Sequence, residues 1–169
     1  MILTRRVFLL GSASSVLLLG VATARKVGTA TASARPLGTF VAIQGDGTVE
    51  ITCHRSEMGQ GIRSSLPVVI ADELGADLAR VRVVQGDGDP KYGDQNTDGS
   101  TSIRNFFDAL REAGAVARTM LITVAAKRWK VPARRLVSAN SAIHDPVTKL
   151  ALGFEELAAE ASKLLPPPR

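Results

Sequence analysis

Val49-Glu50-Ile51-Thr52-Cys53, followed by His54-Arg55-Ser56-Glu57-Met58-Gly59-Gln60-Gly61 and then Ile62, is the stretch on which the fold turns. Val49 to Cys53 alternates apolar with polar residues and is rich in β-branched side chains, the pattern of a half-buried strand. From Ile62 the period changes: Ile62, Leu66, Val69, Ile70 and Leu74 recur at helical spacing. The segment between is a strand-to-helix junction with two glycines around a glutamine. Glycine allows positive φ and close backbone approach. A helix start offers unpaired N–H groups to an anion or a polar ring. Gln60 adds two donors and one acceptor carbonyl without charge. The same residues also suit an ordinary tight turn with a solvated glutamine.

Working outward, Phe40 to Gln44 is a strand paired with Thr48 to Cys53 across the Gly45-Asp46-Gly47 turn. Gly75 closes the first helix as a C-cap. Ser64 or Ser65 as N-cap would place Pro67 in the first turn, where its missing N–H does no harm. Asp72 and Glu73, near the helix end, read as a solvated face. Val81 to Gln85 is the next strand. Residues 86–100 form a long polar loop, a length that is often functional. A long helix over Thr101 to Lys130 follows, with Ile103, Phe106, Phe107, Leu110, Ala113, Ala117, Met120, Leu121 and Val124 as its buried stripe and Trp129 as core filler. Arg104, Asp108 and Arg111 are expected to pair on its outer face, and Pro132 to end it. Residues 136–144 read as a second hairpin turning at Asn140-Ser141, with His144 solvated at its end. A short helix from Phe154 to Leu164 comes last. The expected fold class is α+β: a two-layer domain with a mixed sheet, in the order β-β-α-β-α-β-β-α, after an N-terminal signal segment. The loops 54–61 and 86–100 both lead into helices, whose starts would converge on one ligand if they share an end of the sheet.

The opening residues have the order of an export signal. Arg5 and Arg6 precede an uncharged apolar run, Val7 to Val21, that ends in Ala22-Thr23-Ala24, a small-x-small cleavage pattern. The twin arginine followed by Val7-Phe8-Leu9 is similar to the twin-arginine signal used for proteins exported already folded. A retained membrane anchor is the alternative. The expected division is 1–24 export signal, 25–37 linker, 38–165 globular domain, and 166–169 a proline-rich linker remnant. The expected location is the periplasm or the periplasmic face of the inner membrane.

Composition narrows the function classes. The chain of 169 residues has a formal net charge of +5, which falls to +3 without Arg5 and Arg6, the only charged residues in 1–24. Lys and Arg are dispersed and aromatic residues make up 4% of the chain, so no basic stacking surface for nucleic acid is expected. The single cysteine, Cys53, allows no internal disulfide and reads as a buried small hydrophobe. Cys53, His54 and His144 do not make a zinc site, and no protein metal ligand is expected. Asp94-x-Asn96-x-Asp98-Gly99 matches the start of a calcium loop, but the twelfth position is Asn105 where a bidentate glutamate is required. The segment is either a polar turn capping the next helix through Asp98 or Ser100, or a site where the N–H groups of Gly99 to Ser102 meet a phosphate or a pterin.

Taken together, Thr4-Arg5-Arg6-Val7-Phe8-Leu9, Ser56-Glu57-Met58-Gly59-Gln60-Gly61-Ile62, Leu66-Pro67, Ala71-Asp72-Glu73-Leu74, Val81-Arg82-Val83-Val84-Gln85 and Thr97-Asp98-Gly99-Ser100 with Ser102-Ile103-Arg104 resemble the molybdenum hydroxylase (xanthine oxidase) family. Within it, the chain resembles the molybdopterin-binding large subunit of exported bacterial enzymes of the isoquinoline 1-oxidoreductase and membrane-bound aldehyde dehydrogenase type. The resemblance implies a molybdopterin with molybdenum, in the cytosine dinucleotide form, bound only as part of the complete enzyme. It makes Gly59, Gln60 and Gly61 cofactor-binding residues, with Gln60 near the metal's ligand sphere and Met58 as packing. Gly99, Ser100 and Ser102 resemble a second cofactor-side segment. The metal is then ligated by the pterin dithiolene and not by side chains.

The family reaction is hydroxylation of an aldehyde or N-heterocycle carbon with water as oxygen source, with electrons leaving through iron–sulfur clusters. The resemblance therefore implies as partners the remainder of the large subunit, a small [2Fe-2S] subunit and a cytochrome c electron acceptor, and no nucleic acid. The family's general base is a glutamate in a Gly-x-Gly-Glu context, and no such segment occurs in these residues. Glu155 and Glu156 follow Gly153 but read as helix-start carboxylates. The expectation is an N-terminal part of such a subunit, with no catalytic residue of its own and inactive alone. A non-enzymatic exported α+β binding or assembly module is the second reading.

Overall fold

The computed structural model describes residues 34–167; the stretch read as an export signal, most of the linker, and residues 168 and 169 lie outside it. Among the described residues there are seven strands and four α-helices. In chain order they are β1 (Arg35–Pro36), β2 (Val41–Ile43), β3 (Val49–Cys53), α1 (Ile62–Leu74), β4 (Val81–Gln85), α2 (Thr101–Arg104), α3 (Phe107–Trp129), β5 (Val137–Ala139), β6 (Ala142–His144), β7 (Ala151–Gly153) and α4 (Phe154–Ala161). The first sheet has the order β1-β2-β3-β4 and is mixed: β1 and β2 pair antiparallel, as do β2 and β3, whereas β3 and β4 run parallel. The second, β5-β6-β7, is antiparallel throughout. The α+β class and the mixed sheet are as the sequence predicts. The additions are β1, inside the stretch read as linker, and β7. Leu37, at the end of that stretch, is buried.

The parallel pair positions everything that follows. Parallel neighbours need a long crossover, here the 54–61 turn, α1 and a 3-10 turn at Leu78–Arg80. Val49 faces Val81 and Cys53 faces Gln85, so both strands end at the same edge of the sheet. The inward face of β3 (Val49, Ile51, Cys53) is fully buried and belongs to one core with Ile62, Leu66, Ile70 and Leu74 of α1 and Leu110, Ala117, Leu121 and Val124 of α3. Burial also pushes the Cys53 thiol up in pKa, away from a reactive thiolate.

Four details differ from the expectations. Gly61, not Ser64 or Ser65, is the N-cap of α1, with φ 82°, so Pro67 lies in the helix interior rather than in its first turn. The two serine hydroxyls instead donate back to the Gly61 carbonyl, at 3.0 and 2.9 Å. The long helix is broken at Asn105-Phe106 into α2 and α3, and Phe107 ends up exposed. Glu73 is not a solvated carboxylate: Arg111 and Arg118 of α3 grip it across the helix pair at 2.9 and 2.8 Å, which holds its carboxyl below the usual range. Arg111 therefore pairs between helices and not along its own. His144 is half-buried, with Nε2 3.0 Å from the Ala139 carbonyl oxygen, rather than solvated.

The second sheet is tied to the end of α1. Gly75 caps α1 at φ 79°, and an added Cβ would lie 2.6 Å from the Ser138 carbonyl oxygen. Ser138 Oγ donates to the Leu74 carbonyl and Ser141 N–H to the Gly75 carbonyl. Asn140 and Ser141 both have positive φ, as a two-residue hairpin turn requires.

Candidate functional site

The turn after β3 is organised by Glu57. Its carboxylate accepts the N–H groups of Gly59 (2.7 Å), Gly61 (3.0 Å) and Arg63 (3.0 Å). These bonds, that from Arg63 foremost, hold the carboxyl below the usual range. Glu57 thus occupies the N-terminus of α1, and the expectation that this helix start offers free N–H groups to an anion is overturned. Gln60 braces the same turn. Its Oε1 accepts from Met58 N–H at 2.6 Å and its Nε2 donates to the Ser56 carbonyl at 2.9 Å. One N–H and one lone pair of the amide are left over.

Gly59 and Gly61 have φ of 93° and 82°, yet an added Cβ would meet nothing within 4 Å at Gly59 and only Ser64 Oγ at 3.8 Å at Gly61. Within the described residues the requirement for glycine is therefore conformational. No close backbone approach demands it.

Loop 86–100 returns to this turn. Ser56 N–H donates to Thr97 Oγ1 at 3.1 Å. Ser100 occupies the N-cap position of α2 at φ 60°, but its side chain makes no capping bond. Asp98 does not cap through its side chain either; its carbonyl and carboxylate accept the Thr101 hydroxyl at 2.8 and 3.3 Å. Between turn and loop lies a cleft of about 420 Å³. One wall is Met58, Gln60, Ile62 and Ser65; the other is Thr97, Asp98, Gly99, Ser100, Ser102 and Ile103.

The convergence foreseen from the two loops is present, because β3 and β4 are parallel and both loops leave their carboxyl ends. Of the six residues singled out in the sequence, Gln60, Gly99, Ser100 and Ser102 line the cleft, whereas Gly59 and Gly61 shape the turn behind it. Met58, read as packing, is 67% exposed and forms part of the wall. Sequence reasoning missed Ser65 and Thr97. Thr97 had a signal, lying next to the Asp98-Gly99-Ser100 turn; Ser65 had only its place one helical turn after Gly61. Asp98 is the one ionisable residue in the lining. No group of three or more His, Cys, Asp and Glu side chains able to hold a metal occurs among the described residues.

Behind the cleft, His54 and Arg55 are 2% and 0% exposed. His54 sits between the rings of Phe40 and Phe106, with centroids at 5.2 and 4.9 Å. Burial first, and then the neighbouring Arg55 charge, lower its imidazole pKa from 6.5 to about 4, so it is neutral at physiological pH.

A profile described as the molybdopterin cofactor-binding domain matches residues 10–166. Over 127 residues, 71% of this chain, the sequence is 39% identical to the beta subunit of isoquinoline 1-oxidoreductase from Brevundimonas diminuta, covering 16% of that protein. Over 88 residues, 52% of this chain, it is 40% identical to membrane-bound aldehyde dehydrogenase [pyrroloquinoline-quinone] of Gluconacetobacter polyoxogenes, covering 11% of it. Over 108 residues it is 33% identical to one of the subunits of nicotinate dehydrogenase from Pseudomonas putida, covering 64% of this chain and 9% of that one. The chain thus spans about one-sixth or less of the length of these relatives. The fold is similar to that of quinoline 2-oxidoreductase from Pseudomonas putida 86, with a TM-score of 0.59 at 21% identity, over 73% of this chain and 16% of that one.

Proposed function

The chain belongs to the molybdopterin cofactor-binding domain family, and from that premise we propose that the cleft between the 56–61 turn and the 97–103 segment is one wall of a molybdopterin site in an exported oxidoreductase. That enzyme hydroxylates an aldehyde or an N-heterocycle with water as oxygen source. The observation that carries the reading is the convergence of two segments, far apart in sequence, on a single cleft at the carboxyl ends of two parallel strands. Ligands of open α/β sheets gather at such strand ends.

The donor set fits the group. The lining offers one side-chain amide, several hydroxyls and backbone N–H groups, and a single carboxylate. That suits a cofactor that brings its own sulfur ligands for molybdenum and needs orientation rather than ligation from the protein. When bound, the cofactor supplies two-electron redox chemistry at molybdenum. The chain's own part is to bind and orient. Gln60, with one N–H and one lone pair left over from the turn, would hold the metal end. The Ser100 and Ser102 hydroxyls and the backbone of Gly99 would hold the opposite side, and Gly59 and Gly61 keep the turn in shape. No residue here is assigned the proton-accepting role. The reading gives that step to a glutamate in the remainder of the large subunit, and electron removal to a small [2Fe-2S] subunit and a cytochrome c acceptor. It also takes the cofactor as the cytosine dinucleotide form, and the route as twin-arginine export to the periplasm.

The test is composition. The chain is isolated from its native host together with its companion subunits, and molybdenum and released CMP are measured per chain. Both are expected near stoichiometric. Replacing Gln60 by Ala removes about 1 kcal/mol of hydrogen bonding, so molybdenum retention should weaken about fivefold. Molybdenum and nucleotide both absent with the companion subunits in place would refute the proposal in favour of an exported binding module.

A further inference from the structure

Arg55 is the largest fully buried side chain among the described residues, and none of its three guanidinium nitrogens has a hydrogen-bond acceptor among them. An arginine does not shed its charge to relieve burial. Enclosing a cation away from water is unfavourable unless its surroundings hold it closely. What surrounds it is specific. The Cζ atom lies 4.4 Å from the centroid of the Phe106 ring, and Nη2 lies 3.6 Å from Asp94 Oδ2. Cation–ring attraction is strongest where water is excluded. Its own carbonyl accepts from Gln85 Nε2 at 3.3 Å and from the Cys53 thiol at 3.4 Å, so the backbone beneath the guanidinium is fixed to β4 and β3.

Both partners flank the 97–103 wall of the cleft, one on each side of it in sequence. Asp94 is in the loop that runs on to Thr97, Asp98 and Gly99. Phe106 lies between α2 and α3, at the break that interrupts the helical run. Arg55 itself precedes Ser56, whose N–H holds Thr97, and Glu57, which caps α1. The guanidinium is not part of the cleft lining. It is where the two walls and the sheet edge meet.

We infer that Arg55 is a positioning residue: a buried cationic latch that sets the spacing of the turn 56–61 and the segment 97–103, and so aligns Gln60 with Ser100 and Ser102 without touching what the cleft holds. Its consequence for the cofactor rests on the proposed function; the latch itself does not.

The test is amide hydrogen exchange on the full chain, which needs no cofactor, with Arg55→Met, Arg55→Lys and Asp94→Asn. In Arg55→Met, amides of 56–61 and 97–103 should exchange about tenfold faster while those of Val49–Ile51 and of α3 stay near wild type. Arg55→Lys keeps the charge but loses the planar stack, and should restore part of the protection. Asp94 is a half-exposed carboxylate, so Asp94→Asn leaves the core intact and should speed 94–103 by a smaller factor. Unchanged exchange at both walls would overturn the latch, as would acceleration spread evenly through core and walls. If Arg55→Met does not fold, Asp94→Asn decides alone, and an unaltered 94–103 segment rejects the proposal. Molybdenum content of the same variants separates the two claims. Faster wall exchange in a protein that never holds molybdenum supports the latch and sinks the cofactor reading.

Discussion

Replacing Gly114 by Ala should destabilise the domain, although alanine is the better helix former. Gly114 is buried in the middle of α3. In an unconstrained helix interior the change would stabilise by about 1 kcal/mol. Here the new Cβ would lie 2.6 Å from the Ile70 carbonyl oxygen, 3.0 Å from Glu73 Cβ and 3.2 Å from the Leu74 nitrogen. Two of those atoms are backbone of α1 and cannot rotate away. Ordinary contact begins at 3.4 Å, so the helices must part by about 0.8 Å along that line. The same interface carries the Arg111 and Arg118 bonds to Glu73, including Arg118 Nη1 to the Glu73 carbonyl at 2.7 Å, and parting the helices lengthens them. Overpacking costs about 1–3 kcal/mol, and against backbone atoms that cannot rotate away the upper part of that range, about 2–3 kcal/mol, applies. Offset by the propensity gain, the net loss is about 1–2 kcal/mol, or a melting temperature lower by about 2–8 °C. Urea and thermal denaturation followed by far-ultraviolet circular dichroism measure it. A variant as stable as wild type, or more stable, would refute the close approach of α1 and α3.

Two further predictions concern titration and the turn. His54 is neutral in both folded and unfolded chains above its ordinary pKa of 6.5, and below that the unfolded chain takes up a proton that the folded one refuses until about pH 4. Stability should therefore fall as pH drops from 6.5 to 4, by about 3 kcal/mol in all. His54→Phe should lack this component in urea titrations run across that range, and an identical pH slope in wild type and variant would contradict the burial. Glu57→Ala should speed exchange at the Gly59, Gly61 and Arg63 amides, with Glu57→Gln intermediate because it keeps one acceptor oxygen. Because the Glu57 pKa is lowered, its contribution is complete above the ordinary carboxylate pKa and disappears as pH falls through the folded value. Equal exchange at those three amides in Glu57→Ala would show that Glu57 does not hold the turn.

Much of the fold was legible where a local rule dictates backbone shape. Gly75 had to end α1, and the Asp46-Gly47 and Asn140-Ser141 turns had to make hairpins, because few residues tolerate those dihedrals. The break at Asn105-Phe106 was not legible. Ile103, Phe106, Phe107 and Leu110 keep helical spacing straight through it, and only the tertiary contact of the Phe106 ring with His54 and Arg55 marks the place. Arg55 and Glu73 were missed for the same reason: a charged residue reads as surface until a specific partner across the fold encloses it. β7 is as short as β5 and β6, but no two-residue turn such as Asn140-Ser141 announces it.

Both segments singled out in the sequence line the cleft, but the α1 start that was read as open to a ligand is filled by Glu57. The glutamate of Glu57-Met58-Gly59-Gln60-Gly61 spends its charge on the helix that follows, and the glutamine spends half of its amide on the turn. The motif therefore first builds an internally hydrogen-bonded loop, and of its residues Met58 and Gln60 line the cleft. The opposite wall adds hydroxyls, backbone and one carboxylate, Asp98, and neither wall carries a lysine or an arginine. A phosphate meets no cationic side chain here, and the α1 N-terminus that would have received it is already filled by Glu57. This wall is suited to the uncharged, hydrogen-bonding part of a ligand. The phosphates of a dinucleotide cofactor, on the proposed reading, must find their counter-charges outside this cleft.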